Sequence, residues 1–125
     1  MNQRNHAIDA VASYFAVLSE PTRIRIMDAV CEEDKTVSQI VEELGASQTN
    51  VSRHLGIMHR SGVLARRKHG NQVYYGAADA AMVDLCRSVC KRISEHMEEK
   101  MPLRGELLRL MPQPKRKPKL KQRAT

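Results

Sequence analysis

The side chains that follow Gly45 carry amide, hydroxyl and guanidinium groups, which are the groups that read the edges of DNA bases. They are Gln48, Thr49, Asn50, Ser52 and Arg53. A glutamine or asparagine amide bonds adenine through two hydrogen bonds, and arginine does the same with guanine, while hydroxyl groups reach bases or phosphates. The run therefore has the chemistry of a base-reading surface, provided that a rigid element presents it outward.

A second cluster of polar side chains is basic. Arg66, Arg67, Lys68 and His69 follow one another within a segment that we predict to be a β-hairpin. Cations of this kind bind neighbouring phosphates or the minor groove, and they add salt-dependent affinity with little sequence information. We expect this cluster to strengthen the binding of a duplex rather than to select its sequence.

Three cysteines, Cys31, Cys86 and Cys90, leave three alternatives open. Cys86 and Cys90 are four residues apart, so both thiols project from one helical face and can share a soft ion such as As(III), Cd(II) or Zn(II), with Cys31 or another protomer supplying a third ligand. A reversible disulfide or polysulfide bridge between Cys31 and one of the other two is the second alternative. In the third, the thiols only fill an apolar stripe.

Two short helices joined by a glycine turn are predicted to hold the polar run. Over 36–39, Thr-Val-Ser-Gln is a capping box, and the apolar residues that follow keep a helical spacing up to Gly45, which ends the helix. Ser47 can then cap the next helix, on which Val51, Leu55 and Met58 face the core. The residues predicted to face out are Gln48, Thr49, Ser52, Arg53 and Gly56. Such a helix-turn-helix presents the N-terminal residues of its second helix to base edges.

The flanking elements follow from the same periodicity and from turn residues. They are a first helix that ends near Leu18, a second helix over 20–31 capped by Ser19, a hairpin over 63–75, a long last helix from Asp79 to about Met101, and a short amphipathic piece over 103–111. The sequence thus predicts a mainly α domain with a small β-hairpin over 1–111. A basic, disordered tail is predicted over 112–125.

The charge is concentrated at the C-terminal end of the chain. The formal net charge is +7, but six of the 21 basic residues and none of the 14 acidic ones lie in 113–125, so the rest is close to neutral. Aromatic residues make up 3% of the sequence, too few for the base stacking used by single-strand binders, which favours a duplex as partner. Without a signal peptide or 18 consecutive apolar residues, we expect a cytoplasmic protein with no membrane partner.

Five segments together resemble the ArsR-type (ArsR/SmtB) family of winged-helix repressors. They are 18–27, 38–44, 47–55, 61–64 and 74–75, within a similarity that covers about residues 8 to 100. The resemblance implies a homodimer through the first and last helices, a recognition helix near 47–60, and repression relieved by an inducer. Gln48, Thr49, Ser52 and His54 match the recognition-helix pattern of the family. For His54, contact with DNA and a packing or phosphate role both stay open.

Two metal sites of that family can be tested against these residues. The Cys-Val-Cys motif of arsenic-sensing members is absent from 37–45. A second site on the last helix would start at Asp84, but His96 lies one residue short of the required position, which rotates it by about 100 degrees on the helix. The metal ligands therefore stay unknown, with Cys86 and Cys90 as weak candidates for a soft metal or metalloid.

The sequence leads to the hypothesis of a sequence-specific regulator of transcription that binds double-stranded DNA at an inverted repeat, as a repressor released by an inducer at the cysteines. The candidate DNA-binding residues are Ser47, Gln48, Thr49, Asn50, Ser52, Arg53, His54, Arg66, Arg67 and Lys68. We expect no enzyme activity, because no nucleophile, base and orienting group converge in the sequence. A winged-helix protein-interaction module, and a regulator whose cysteines are purely structural, remain the alternatives.

Overall fold

The computed structural model describes residues 2–112, in which helices pack around a small antiparallel sheet. The elements are α1 (Gln3–Val17), α2 (Pro21–Val30), β1 (Lys35–Thr36), α3 (Val37–Leu44), α4 (Gln48–Arg60), β2 (Leu64–His69), β3 (Gln72–Ala77), α5 (Ala80–Glu95) and α6 (Pro102–Arg109). The predicted tail lies outside the described residues, apart from Pro112. None of the helices in 2–112 is long and apolar enough to cross a membrane.

The predicted helix-turn-helix is confirmed by its caps. Thr36 Oγ1 accepts from the backbone N–H of Gln39 at 3.2 Å, and the Gln39 side chain accepts from the backbone N–H of Thr36 at 2.9 Å. Gly45 ends α3 with a φ of 66°, a left-handed conformation that glycine adopts without steric strain. Ser47 Oγ then accepts from the backbone N–H of Asn50 at 3.2 Å and so starts α4.

One side of α4 anchors it to the domain, as the apolar spacing predicts. Val51, Leu55 and Met58 are each 0% exposed. They belong to the same buried cluster as Ile26 of α2 and Ile40 of α3. The opposite side of α4 is therefore fixed facing outward, because a helix cannot turn about its axis without exposing this apolar side.

The predicted hairpin forms the wing of the fold, and a strand that the sequence did not predict completes the sheet. β2 pairs with β3 in antiparallel register, with Arg67 opposite Tyr74, and the turn passes through Gly70, whose φ is 62°. β1 pairs with the other edge of β3, with Lys35 opposite Tyr75, and gives the strand order β1-β3-β2. The short β1 thus joins the wing to the start of α3.

The last helix is shorter than predicted, because α5 ends at Glu95 rather than near Met101. The Ser94 carbonyl accepts hydrogen bonds from the backbone N–H of Met97 and from Nε of Arg104, both at 3.1 Å. A continuing α-helix would instead give this carbonyl to the N–H of residue 98. The chain therefore turns back after α5, and α6 packs against it.

Candidate nucleic-acid interface

The first turns of α4 present a polar edge to solvent. Its exposed side chains, which we call the polar edge, are Gln48, Thr49, Ser52 and Arg53. The first turn of the helix carries no acidic side chain. Because the unpaired N–H groups at a helix N-terminus attract anions, this end of α4 is electrostatically suited to approach a phosphate backbone. The polar edge combines amide, hydroxyl and guanidinium groups on a rigid element.

Ser47 and Asn50 hold the polar edge in place. Ser47 caps α4, and Asn50, which is half-buried, accepts a hydrogen bond at Oδ1 from Nη2 of Arg53 at 2.9 Å. A guanidinium group has five N–H donors, so Arg53 retains donors for a guanine edge. Direct contact of Ser47 and Asn50 with DNA stays a prediction.

His54, in contrast, lies inside the domain. It is 4% exposed, its Nδ1 accepts a hydrogen bond from Nε of Arg23 at 3.0 Å, and its Nε2 lies 3.1 Å from Oε2 of Glu20. With Nδ1 as the acceptor, a neutral ring carries its proton on Nε2, the nitrogen on the side of the Glu20 carboxylate. Burial lowers the pKa of His54, although the Glu20 carboxylate acts in the opposite direction. Of the roles left open for His54, the structure supports packing and corrects the expectation of DNA contact.

Glu20 and Arg23 are structural partners of α4 that the sequence reasoning missed. Glu20, not the predicted Ser19, caps α2, because its Oε1 accepts from the backbone N–H of Thr22 at 3.0 Å. This hydrogen bond is the main reason why the pKa of Glu20 is lowered. Arg23 also donates from Nη1 to the Val17 carbonyl at 3.2 Å, and so links the end of α1 to α4 through His54. A carboxylate directly before Pro21 was the available signal for the cap.

The basic cluster of the wing divides between two faces of β2. Arg66 and Lys68 are exposed, as is His69 at the end of the strand. Arg67 points the other way, and its Nη1 lies 3.1 Å from Oδ2 of Asp34, whose side chain is only 4% exposed. Successive strand side chains alternate between faces, so the four basic residues do not share one surface. The expectation that Arg67 faces phosphates is corrected, while Arg66 and Lys68 remain available for this role.

A glycine of β3 makes room for the Arg67–Asp34 pair. A Cβ atom at Gly76 would lie 2.0 Å from Oδ1 of Asp34 and 3.3 Å from Nη1 of Arg67. Real Cβ atoms do not approach a neighbour within 3.0 Å. Gly76 is therefore needed here for space, and the ion pair fixes the wing against the loop that precedes β1.

The three cysteines are free thiols and all are buried. Burial raises the pKa of Cys31 to about 11, with Asp28 and Glu32 acting in the same direction. Burial also raises the pKa values of Cys86 and Cys90. Metals and sulfur reagents react with thiolates, so the raised pKa values and the burial both slow reaction at these thiols. Within residues 2–112, no group of three or more His, Cys, Asp or Glu side chains is placed to hold a metal ion.

The chain is similar in sequence and fold to bacterial regulators. Residues 20–66 match the model for the bacterial regulatory protein, arsR family. The crystal structure of Rv0081 from Mycobacterium tuberculosis, an uncharacterized HTH-type transcriptional regulator, has a TM-score of 0.68 and 30% identity, covering 71% of this chain and 90% of that one. The homodimeric winged helix-turn-helix DNA-binding domain Mb0332 from Mycobacterium bovis has a TM-score of 0.73 and 24% identity, covering 81% and 94%, and confirms the fold. A probable mercury resistance operon repressor from Streptomyces lividans is 31% identical over 77 residues, covering 62% of each chain.

Proposed function

The chain belongs to the arsR family of bacterial regulatory proteins, which regulate transcription by binding DNA and are not enzymes, and we propose that it is a homodimeric repressor whose α4 reads an inverted repeat. The observation that carries this proposal is the two-sided character of α4. Its apolar side is fully buried at Val51, Leu55 and Met58, and its polar edge is exposed. The major groove, about 12 Å wide, admits one helix, so the polar edge can meet base edges directly.

The dimer is proposed from two apolar stripes that the described part of the chain leaves exposed. On α1 the stripe consists of Ile8, Val11 and Phe15. On α5 it consists of Leu85, Val89 and Ile93. Each set follows the three-or-four-residue spacing of one helical face, and contiguous apolar surface of this kind marks an interface. A second copy of the chain covers both stripes in this proposal, and a two-fold axis then sets the two α4 helices about 34 Å apart, one turn of DNA.

We expect replacement of Gln48 or Arg53 by alanine to weaken binding at the preferred operator by about 1 to 3 kcal/mol, with little loss on random DNA. The reason is that a bidentate base contact discriminates among sequences, whereas phosphate contacts do not. Operators selected from random duplexes, followed by fluorescence anisotropy on the selected and a scrambled duplex, provide the measurement. Arg109→Ala, at an exposed arginine of α6, is the matched control and should bind like the unmodified protein.

Equal losses on selected and scrambled DNA would mean that Gln48 and Arg53 do not read bases. If selection yields no preferred sequence and only salt-sensitive binding, the winged-helix domain is an interaction module instead. The basic residues of 113–125 contribute to the salt-sensitive component in either case, because each released counterion steepens the salt dependence.

The inducer is proposed to act at the cysteines of α5. Cys86 and Cys90 are buried four residues apart on the helix that carries the proposed dimer stripe, so a reagent bound there would disturb α5. A thiolate at Cys90 would raise the pKa of Cys86 beyond the effect of burial, which favours a reaction at one thiol at a time. Reactive sulfur or an oxidant fits this pair better than a soft metal, because no third His, Cys, Asp or Glu side chain within 2–112 is placed to complete a metal site; a metal would need a ligand from a second protomer.

We expect Cys86→Ser to bind the operator with unchanged affinity and to resist release by the inducer. Titration of the protein–DNA complex with polysulfide, peroxide, arsenite, cadmium and zinc, with the state of each thiol read by mass spectrometry, measures the response. Cys31→Ser and Cys90→Ser are the matched comparisons. If the Cys86 variant is still released by every reagent that releases the unmodified protein, Cys86 is not the sensor; if no reagent releases the unmodified protein, the cysteines are structural.

A further inference from the structure

The end of the described chain crosses from α6 onto α2 and α5. We call residues 110–112 the C-terminal clasp. Met111, at its centre, is 1% exposed. The backbone N–H of Met111 donates to Oδ1 of Asp28 on α2 at 3.0 Å, and its carbonyl accepts from Nε of Arg87 on α5 at 2.9 Å. One buried residue is thus bonded by charged side chains from two different helices.

The backbone conformation of Met111 indicates that this contact is specified by its surroundings. Its φ is 55°, in the left-handed region, where residues with a side chain are strained. Such a conformation persists only where neighbouring groups determine it. Here the two charge-assisted hydrogen bonds and the buried side chain do so, and charge-assisted bonds are stronger than those between neutral groups.

The clasp joins the two parts of the molecule that must act together on DNA. α2 packs on α3 and α4 and is tied to α4 through Arg23 and His54. α5 packs on α6 and β3 and carries the exposed stripe proposed for dimerisation. Asp28 of α2 and Arg87 of α5 are therefore linked through the backbone of a single residue, Met111, in addition to the buried core that the two helices share.

We propose that Met111 is a positioning residue: the clasp fixes α5 against the α2–α4 unit and so sets the separation of the two α4 helices in the dimer. This inference rests on the proposed function. Its consequence is selectivity for the spacing between operator half-sites, since one base pair of displacement rotates a half-site by about 35 degrees around the DNA axis. In this proposal the polar edge determines which bases are selected within each half-site, and the clasp determines only the spacing between the half-sites.

The clasp also covers one of the thiols. Sγ of Cys31 lies 3.3 Å from the carbonyl oxygen of Asp28 on α2 and 3.8 Å from that of Pro112 in the clasp, so its single weak S–H donor lies between the two. Displacement of the clasp therefore uncovers Cys31 directly. Cys31 is 6% exposed with the clasp in place, so its labelling rate reports whether the clasp is seated.

The test compares full-length Met111→Ala with Met101→Ala, the same substitution at a side chain that is 46% exposed. Affinity is measured by anisotropy for duplexes whose selected half-sites are moved together or apart by one to three base pairs. We expect the unmodified protein and Met101→Ala to prefer one spacing by about tenfold per step and Met111→Ala to retain about a twofold preference. A uniform loss of affinity at every spacing, with the preference intact, would show that Met111 only stabilises the fold.

Arg87→Lys provides a second variant, because it keeps the charge and removes the Nε donor to Met111. Iodoacetamide labelling followed by mass spectrometry measures the rate at Cys31 in the native protein as a ratio to the rate at the same thiol in the urea-unfolded protein. We expect this ratio to rise at least about fivefold in Met111→Ala and Arg87→Lys, since thiol reactivity follows access. An unchanged ratio in both variants overturns the clasp. If the unmodified protein has no preferred operator, the proposed function fails, while the labelling result still decides whether the clasp exists.

Discussion

Replacing Leu55 by alanine is expected to lower the free energy of unfolding by about 3 kcal/mol. Leu55 is 0% exposed and lies in the cluster that joins α4 to α2 and α3. The variant loses the transfer free energy of the leucine side chain and leaves a cavity that the surrounding helices fill only in part. For a domain of this size, whose total stability is about 5 to 15 kcal/mol, that is a large fraction.

Urea unfolding followed by circular dichroism measures the effect. Leu108→Ala, at a leucine of α6 that is 54% exposed, is the matched control and should change the stability by less than about 0.5 kcal/mol. Equal effects of the two substitutions would mean that Leu55 does not anchor α4, and the outward orientation of the polar edge would lose its physical basis. At low temperature, where the variant stays folded, it should still prefer the selected operator, since Leu55 does not touch the polar edge.

The helix-turn-helix could be predicted from the sequence because its signals are local. The capping box of Thr36 and Gln39, the left-handed Gly45 and the spacing of Val51 and Leu55 all act within a few residues of one another. Each confirmed expectation here required only the geometry of a single helix or turn. The same holds for the hairpin, whose turn at Gly70 lies between two short strands.

The features that the sequence did not predict depend on contacts between distant residues. β1 has only two residues and exists because Lys35 pairs with Tyr75 across the sheet. α5 ends early, and the Ser94 carbonyl accepts from the N–H of Met97 and from Nε of Arg104, ten residues on, rather than from the N–H of residue 98. Periodicity reports which face is apolar but not which partner a polar group meets, so the end of α5 was placed too late.

In the candidate site, too, local features could be predicted and contacts between distant residues could not. The polar edge followed from the helical spacing, and its role in reading bases stays a prediction. The partners of His54 could not be foreseen, because Arg23 lies 31 residues away in the sequence. Alternation along β2, however, was a usable signal: in a strand with one covered face, Arg66 and Lys68 cannot share a surface with Arg67.

Replacing Arg67 by alanine is expected to lower the free energy of unfolding by about 3 kcal/mol, whereas alanine at the neighbouring Arg66 should change it by less than about 0.5 kcal/mol. The Asp34 carboxylate, 4% exposed, would lose the cation at 3.1 Å, and the loss of one ion-pair partner is costly because a carboxylate at this depth is poorly solvated. The side chain of Arg67 is itself 19% exposed, so the expected loss lies at the lower end of the range for buried pairs. The Asp34 carboxylate already fills the space beside Gly76, so it has little room to move toward β3 when Arg67 is removed.

For DNA binding we expect the opposite order of effects: Arg66→Ala should change binding, and Arg67→Ala should not. Arg66→Ala should reduce the slope of log affinity against log salt concentration by about 2 in the proposed homodimer, because the exposed cation of each of the two wings releases about one counterion on binding a phosphate. Arg67→Ala, measured where it remains folded, should keep the slope of the unmodified protein. Urea unfolding and salt-dependent anisotropy on both variants separate the two roles. A reduced salt slope with unchanged stability in Arg67→Ala would return Arg67 to the phosphate-binding set that the sequence predicted, and would mean that its contact with Asp34 does not hold the wing.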